Sequence, residues 1–237
     1  MLKNIGKILL IFIFGMAGGI FADQIFWPYF VERPLFYQYN LDNKPVYVKE
    51  TKEVVIRENF ALQDAILKAE KAVVGVKTKM PSGRIIEGSG LIVTSDGLMV
   101  TLTELIPAGS AFTFFVEGKP LPYQVLKRDS GNNLALVKLE GSNFTTVAFA
   151  DFEKLRRGER VFLISKSGSL EGEMMVNEGI VKTFDENFIQ TNIFEETRVL
   201  GSPLFDIEGR FLGLNTINRK GQVSALPIIK IRAFLGF

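Results

Sequence analysis

Residues 91–102 read LIVTSDGLMVTL, two apolar and β-branched runs on either side of Ser95-Asp96-Gly97. Runs of this composition form strands, and a short turn containing Asp-Gly between them is typical of a β-hairpin. Eight more apolar or β-branched runs follow, bounded by Gly, Pro, Asn or Asp: AFTFFVEG, PYQVLKR, LALVKL, RVFLIS, EGIVKTF, FIQTNIF, RFLGLNTI and VSALPI. Many short strands at this spacing predict an all-β sandwich or barrel of about 180 residues.

Two short helices are expected at the ends of this β-rich region. Before it, Leu62, Ala65, Ile66 and Ala69 recur at the spacing of one helix face, with Asn59 available as the N-terminal cap. After it, the final segment IIKIRAFLGF has the composition of a short closing helix.

The N-terminal segment is of a different kind. Lys3 and Lys7 precede an uncharged run, residues 8–22, and the aromatic cluster at residues 25–30 extends that run into a membrane interface. Lysines before the run and Asp23 after it place the N-terminus in the cytoplasm and the remainder of the chain outside. This pattern predicts a single-pass anchor in the cytoplasmic membrane.

A cleaved signal peptide is the alternative interpretation, and it would leave the protein secreted. Cleavage after Ala22 would put Ile20 at a position where a small residue is required, which favours the uncleaved anchor. The predicted organisation is a transmembrane signal-anchor over 1–30, an extracytoplasmic linker over 31–57 and a β-domain over 58–237.

Composition excludes several classes of function. The 237-residue chain has a net charge of +2, so no strong basic surface for nucleic acid is expected. It contains neither cysteine nor histidine, which removes disulfides, thiolate ligands and the usual general base at neutral pH. We therefore expect no metal site and no cofactor.

Six segments, in this order, resemble the trypsin-like serine proteases of the HtrA/Deg type. Each motif is weak alone, but their order is specific, and the similarity covers about residues 60–237. The segments are EGSGLIVTSDGLMVT at 87–101, NNLALVKL at 132–139, ADFEKLRRGERVFLIS at 150–165, EGIVKTF at 178–184, GSPLFDIEGRFLGLNT at 201–216 and SALPIIKI at 224–231.

The resemblance implies a chymotrypsin/trypsin-like double antiparallel β-barrel, with two six-stranded barrels packed face to face and the active site in the cleft between them. Catalysis in that cleft requires a serine nucleophile, a histidine base and an aspartate that orients the histidine. Backbone N–H groups beside the serine hold the developing oxyanion.

The positions of this chain that match the family's triad carry other residues. Glu104 stands at the histidine position, Asn133 at the aspartate position and Leu200 at the serine position. The former oxyanion loop reads Arg198, Val199, Leu200 and Gly201. Because loss of one triad member already costs several powers of ten in rate, we expect no catalytic residues and an inactive homologue that is not an enzyme.

Two further arrangements of hydroxyls and one charged cluster were considered as sites. Ser202 could act as a shifted nucleophile with Glu104 as base, and Ser165-Lys166-Ser167 could form a serine–lysine dyad; a small residue at the position of a family glycine and a solvated loop are the simpler interpretations. The cleft mouth is expected to hold four charged residues, which either bind a peptide or are only solvated: Glu104, Glu195, Glu196 and Arg198.

These observations predict a membrane-anchored, extracytoplasmic pseudoprotease that binds a protein or extended peptide as an adaptor or scaffold. Two alternatives stay open: an active HtrA-like serine endopeptidase, and a structural subunit of an envelope complex. The sequence stops just after SALPIIKI, so the PDZ module that commonly follows this domain is expected to be missing. The partner is not identified by the sequence, and a homo-oligomer stays open because trimers are common among relatives of this type.

Overall fold

The computed structural model describes residues 2–32, 57–168 and 173–236. The chain divides into two compact units, Met1–Val54 and Val55–Phe237. Most of the predicted linker, 31–57, lies outside the described residues.

The first unit contains an apolar helix, as predicted. Helix α1 spans Leu2–Phe21, and a π-helical segment continues it over Ala22–Glu32. The stretch Asn4–Pro28 is 25 residues long, and its 18-residue apolar window has a mean hydropathy of 2.1 and is not buried. It is long and apolar enough to cross a membrane, and a signal sequence has the same properties.

The second unit begins with helix α2, Arg57–Ala69, followed by one 3-10 turn. The helix packs through Ala65 and Ala69, both buried, which belong to the face predicted from the apolar spacing. It begins two residues before Asn59, so the predicted cap position was wrong and Asn59 lies within the first helical turn.

A curled antiparallel sheet of seven strands follows α2, in the order β5-β4-β1-β2-β3-β7-β6. Strands β2 and β3 of this sheet form the hairpin predicted at residues 91–102, with Gly97 in the turn at φ +96°. The strands are β1 (Val73–Lys79), β2 (Ile85–Ile92), β3 (Leu98–Leu102), β4 (Ala111–Val116), β5 (Lys119–Leu121), β6 (Tyr123–Asp129) and β7 (Leu134–Leu139).

The remaining six strands form a closed antiparallel barrel in the order β10-β13-β12-β11-β8-β9. The predicted closing helix, α3, follows as Ile228–Leu235. The strands are β8 (Arg160–Lys166), β9 (Met174–Phe184), β10 (Ile189–Phe194), β11 (Pro203–Asp206), β12 (Phe211–Ile217) and β13 (Gln222–Pro227).

The predicted fold class is confirmed: the unit is mostly β and is built from two curled antiparallel sheets. The expected pair of six-stranded barrels differs in the first sheet, which is a seven-stranded half-barrel rather than a closed barrel of six. The short strand β5 accounts for the additional strand, since it pairs only with β4.

Strand β8 joins the two halves because its successive side chains face opposite cores. Phe162 and Ile164 pack into the core that contains the first sheet, whereas Val161 and Leu163 pack inside the closed barrel. Phe205 of β11 stacks on Phe162 with ring centroids 5.2 Å apart and also belongs to the first core. These two rings, both from the barrel, therefore pack together in the core that contains the first sheet.

We predict that Phe205→Ala lowers the free energy of unfolding by about 3–5 kcal/mol, because it leaves a cavity where the two halves meet. Phe194→Ala is the matched control, since that ring is 61% exposed; its expected effect is within about 0.5 kcal/mol. Urea denaturation of the full chain in a neutral detergent measures both values. Equal losses for the two variants would contradict the role given to Phe205.

Candidate functional site

Glu104 lies on the 3-10 turn Thr103–Leu105, which follows directly after β3. Leu105 and Ile106, next along the chain, are fully buried and anchor this turn to the core. The apolar pattern of β3 thus continues into the turn. Between the buried Leu102 and Leu105, Glu104 is left exposed.

Asn133 precedes β7 and meets Glu104 across the turn. Its backbone has φ +55°, in the left-handed region that asparagine tolerates better than most residues. Its amide Nδ2 donates a hydrogen bond of 2.9 Å to the Glu104 carboxylate. Its Oδ1 accepts from the Thr103 hydroxyl at 2.7 Å and from the Glu104 backbone N–H at 3.1 Å. The residues predicted at the first two triad positions are therefore in direct contact.

Leu200 lies between the 3-10 turn Thr197–Val199 and strand β11. Its carbonyl accepts a hydrogen bond of 2.8 Å from the backbone N–H of Ser89 in β2. Gly201 follows with φ +68°, and a Cβ at this position would lie 2.3 Å from the Ser89 carbonyl oxygen. Only glycine fits this close approach, which holds the loop against β2.

Three backbone N–H groups of the loop that was predicted to be the former oxyanion loop donate hydrogen bonds within the protein. Val199 donates to the Glu196 carbonyl at 3.3 Å and Leu200 to the Thr197 carbonyl at 3.1 Å. Gly201 donates to the Asn215 carbonyl at 2.8 Å. An oxyanion hole requires such donors to point at the substrate, and these three are turned into the loop and β12 instead.

Two neighbouring cavities lie beside this loop. The first has a volume of about 350 Å³ and contains both Glu104 and Leu200 in its lining. The second has a volume of about 320 Å³ and shares Glu87 and Arg198 with the first. The first is lined by Arg84, Ile85, Ile86, Glu87, Glu104, Thr197, Arg198 and Leu200, and the second by Glu87, Ser165, Ser167, Glu173, Met174, Met175 and Arg198. We call the two cavities together the cleft.

Residues 84–87 of the cleft were missed by the reading of the sequence. They open β2, and nothing in their composition distinguishes them from an ordinary strand end. They reach the cleft because β2 pairs with β1 and is held to the loop by the contact between Ser89 and Leu200. Only this tertiary arrangement could have identified them.

The cleft contains two cations with no carboxylate partner among the described residues. Glu87 pairs with Lys77 at 3.8 Å, and Glu104 is held by Asn133. The guanidinium groups of Arg84 and Arg198 form no ion pair within the described ranges. The cleft is therefore lined by charged groups of both signs, the two unpaired arginines and the carboxylates of Glu87, Glu104 and Glu173.

The four residues expected at the cleft mouth are not all brought together. Glu104 and Arg198 line the first cavity, whereas Glu195 and Glu196 line neither. The Glu195 carboxylate instead accepts a hydrogen bond from the Asn177 side chain on β9. The expectation for Glu195 did not account for this contact with Asn177 on β9.

Neither arrangement of hydroxyls considered as a shifted nucleophile is assembled. Ser202 is fully buried, and its hydroxyl accepts a hydrogen bond of 3.0 Å from Asn215 Nδ2. The Ser165 hydroxyl donates to the Arg198 carbonyl at 2.7 Å. Lys166 faces the other side of β8, where its ammonium donates to the Glu70 carbonyl at 2.6 Å and burial lowers its pKa. The serine and the lysine therefore point apart.

No cluster of three or more potential metal ligands occurs within residues 2–32, 57–168 and 173–236. The chemistry available in the cleft is that of carboxylate, hydroxyl, guanidinium and apolar groups. This combination recognises carboxylates and peptide backbone through hydrogen bonds.

We predict that Asn133→Asp destabilises the fold at pH 7 by roughly 1 kcal/mol, because it sets a second carboxylate against Glu104. Like charges raise the pKa of the introduced carboxyl above its value in the unfolded chain, so the loss is present at pH 7 and shrinks towards pH 4. Asn143→Asp is the matched control, since Asn143 is exposed and also left-handed at φ +60°. Urea denaturation at both pH values gives the comparison, and a deficit independent of pH would refute the carboxylate contact.

A family model described as a trypsin-like peptidase domain matches residues 88–214, more than half of the chain. The chain is also similar to proteins described as "Probable periplasmic serine endoprotease DegP-like". The one from Rhizobium meliloti (strain 1021) is 31% identical over 140 residues, 55% of this chain and 27% of the relative. The one from Brucella suis biovar 1 is 29% identical over 143 residues, 56% of this chain and 28% of the relative.

A similar protein of the same description from Pseudomonas putida (strain F1) is 30% identical over 138 residues, 54% of this chain and 28% of the relative. In all three comparisons the match covers less than a third of the relative's own length.

The prediction that the chain is not an enzyme is wrong as a classification. The matching family is one of peptidases and the relatives are described as serine endoproteases. The prediction rested on three side chains, whereas the match extends over residues 88–214, from within β2 to within β12. The chain belongs to the trypsin-like peptidase family, as a relative of the DegP-like serine endoproteases of the HtrA/Deg type.

Proposed function

We propose that this protein is a membrane-anchored, extracytoplasmic member of the trypsin-like peptidase family that binds a protein or an extended peptide in the cleft. The observation that carries the proposal is the pair of neighbouring cavities that meet at Arg198 beside Glu104 and Leu200. Each cavity lies within the size range of ligand sites in proteins, about 300–1,000 Å³.

An open strand edge supports peptide binding beside these cavities. Strand β2 pairs with β1 along residues 85–91, but with β3 only at Leu91 and Ile92. On the side away from β1, the N–H of Ser89 is taken by Leu200. Because backbone groups alternate along a strand, the N–H and C=O of Glu87 face this same side and are free to pair with an added strand.

The side chains around this edge suit an extended ligand with mixed chemistry. Arg84 and Arg198 offer guanidinium groups that bind carboxylates or backbone carbonyls with two parallel hydrogen bonds. Met174 and Met175 line the second cavity, and methionine adapts its shape to different apolar groups. This surface supports an adaptor that holds segments of a partner protein.

The N-terminal unit and the relatives support the proposed location. The apolar stretch Asn4–Pro28 follows Lys3 and contains Lys7 near its start, and the similar proteins are described as periplasmic. We propose that this stretch anchors the chain in the cytoplasmic membrane, with the N-terminus inside and the β-domain outside.

Serine endopeptidase activity is the second candidate, favoured by the description of the relatives. Because the sequence contains no histidine, hydrolysis would need a base of another kind. It would also need backbone donors in the loop at Arg198–Gly201 to turn towards the substrate.

We predict that the full chain in neutral detergent binds fluorescein-labelled β-casein, an unfolded protein. The double variant Arg84→Glu with Arg198→Glu should weaken this binding at least about tenfold, because it replaces both unpaired cations of the cleft. Arg219→Glu is the matched control, since Arg219 is exposed and lies outside the cleft. Fluorescence anisotropy measures the affinities. Unchanged binding by the double variant would reject the cleft as the binding site.

The same samples test the second candidate. An endopeptidase releases fragments of β-casein that gel electrophoresis detects, and a fluorophosphonate probe labels one serine stoichiometrically. Loss of both signals on substitution of the labelled serine by alanine would establish hydrolysis. Bound β-casein recovered whole, without labelled protein, would leave binding as the supported activity.

A further inference from the structure

A third cavity, of about 570 Å³, is larger than either part of the cleft and shares no lining residue with it. It lies between the C-terminal end of α2, the segment 145–148 and the turn that joins β11 to β12. We call it the helix groove. Leu67, Lys68 and Lys71 line it from the end of the helix. Residues 145–148 line it from the segment, and residues 208–210 from the turn.

The helix groove carries two uncompensated positive charges. Lys68 and Lys71 are exposed and form no ion pair with a carboxylate in the described part of the chain. Arg210, in contrast, is bonded to Asp206 at 2.7 Å and to Glu208 at 2.9 Å. The hydrogen bond that Arg210 donates to the Asp206 carboxylate raises the pKa of the Arg210 guanidinium. The unsatisfied charge of the groove therefore comes from the two lysines.

The opposite wall of the helix groove offers free backbone groups. The segment is held at both ends, because the N–H of Phe144 donates to Ser95 at 3.0 Å and the carbonyl of Ala148 accepts from Phe211 at 2.8 Å. Between these points, residues 145–147 make no backbone hydrogen bond to another described residue. A backbone edge held in place with unpaired groups is a template for strand addition.

Apolar surface lies between the charges and the backbone edge. Leu67 is 60% exposed although α2 buries its inner face, and Val147 is half-buried on the other wall. Lys68 and Lys71 are three positions apart around the end of a helix, so their side chains start about 5–6 Å apart. Alternate residues of an extended peptide are about 6.5 Å apart on one face, which matches this spacing.

We propose that the helix groove binds an extended acidic segment of a partner protein. Alternate carboxylates pair with Lys68 and Lys71, the peptide backbone pairs with residues 145–147, and apolar side chains cover Leu67. This second site lies beyond the proposed function of the cleft and does not depend on it.

The experiment uses the full chain in neutral detergent and a fluorescein-labelled octapeptide of four Glu-Val repeats, followed by fluorescence anisotropy. We expect saturable binding that weakens with added salt, and at least tenfold weaker binding of the Gln-Val peptide that lacks the charges. Lys68→Glu with Lys71→Glu should weaken binding of the Glu-Val peptide at least tenfold. Lys68→Gln with Lys71→Gln should give a smaller loss in the same direction, which guards against a folding defect in the first variant.

Matched variants separate the helix groove from other positive surfaces. Lys182→Glu with Lys220→Glu makes the same change in charge at exposed sites outside the groove and should leave the affinity unchanged. Arg84→Glu with Arg198→Glu, in the cleft, should also leave it unchanged. Equal losses in the distant variant, or a loss only in the cleft variant, would overturn the proposal.

Strand addition is tested with two N-methylated forms of the Glu-Val peptide, one methylated at the odd and one at the even residues. Because the N–H groups of a strand point alternately to its two sides, strand addition predicts that only one form loses affinity. Retention of full affinity by both forms would reject pairing with residues 145–147.

Discussion

The second unit depends on three barrel strands whose side chains alternate between two cores. One core lies inside the closed barrel, and the other contains the first sheet. Strands β8, β11 and β12 each send neighbouring residues to opposite sides, so one strand wall belongs to both the closed barrel and the first sheet. The rings of Phe162, Phe205 and Phe211 fill the side towards the first sheet. With this contact in place, the position of the loop before β11 relative to β2 has little freedom.

The loop before β11 is held by its backbone. The carbonyl of Leu200 accepts a hydrogen bond from Ser89, and glycine is required at position 201, so this loop is fixed against β2. The contact between Glu104 and Asn133 likewise keeps these two residues side by side. Backbone packing, turn geometry and this side-chain hydrogen bond therefore hold the three residues that were predicted at the triad positions.

The cleft and the helix groove combine the same physical elements at separate places. Each has two cations without carboxylate partners among the described residues, and each lies beside a backbone edge with free hydrogen-bonding groups. Such surfaces favour extended, charged segments over compact apolar ligands, because the backbone of the ligand supplies much of the contact.

Local patterns in the sequence determined the strands, the Ser95–Gly97 hairpin and the apolar N-terminal helix. These features depend on alternation, turn chemistry and motif order over a few residues, which a single sequence records. Only the tertiary structure determined that Arg84 lies unpaired in the cleft, that Glu195 is bonded to Asn177 and that the helix groove forms. They arise from contacts between residues far apart along the chain, and such contacts depend on strand register and packing that no local pattern contains.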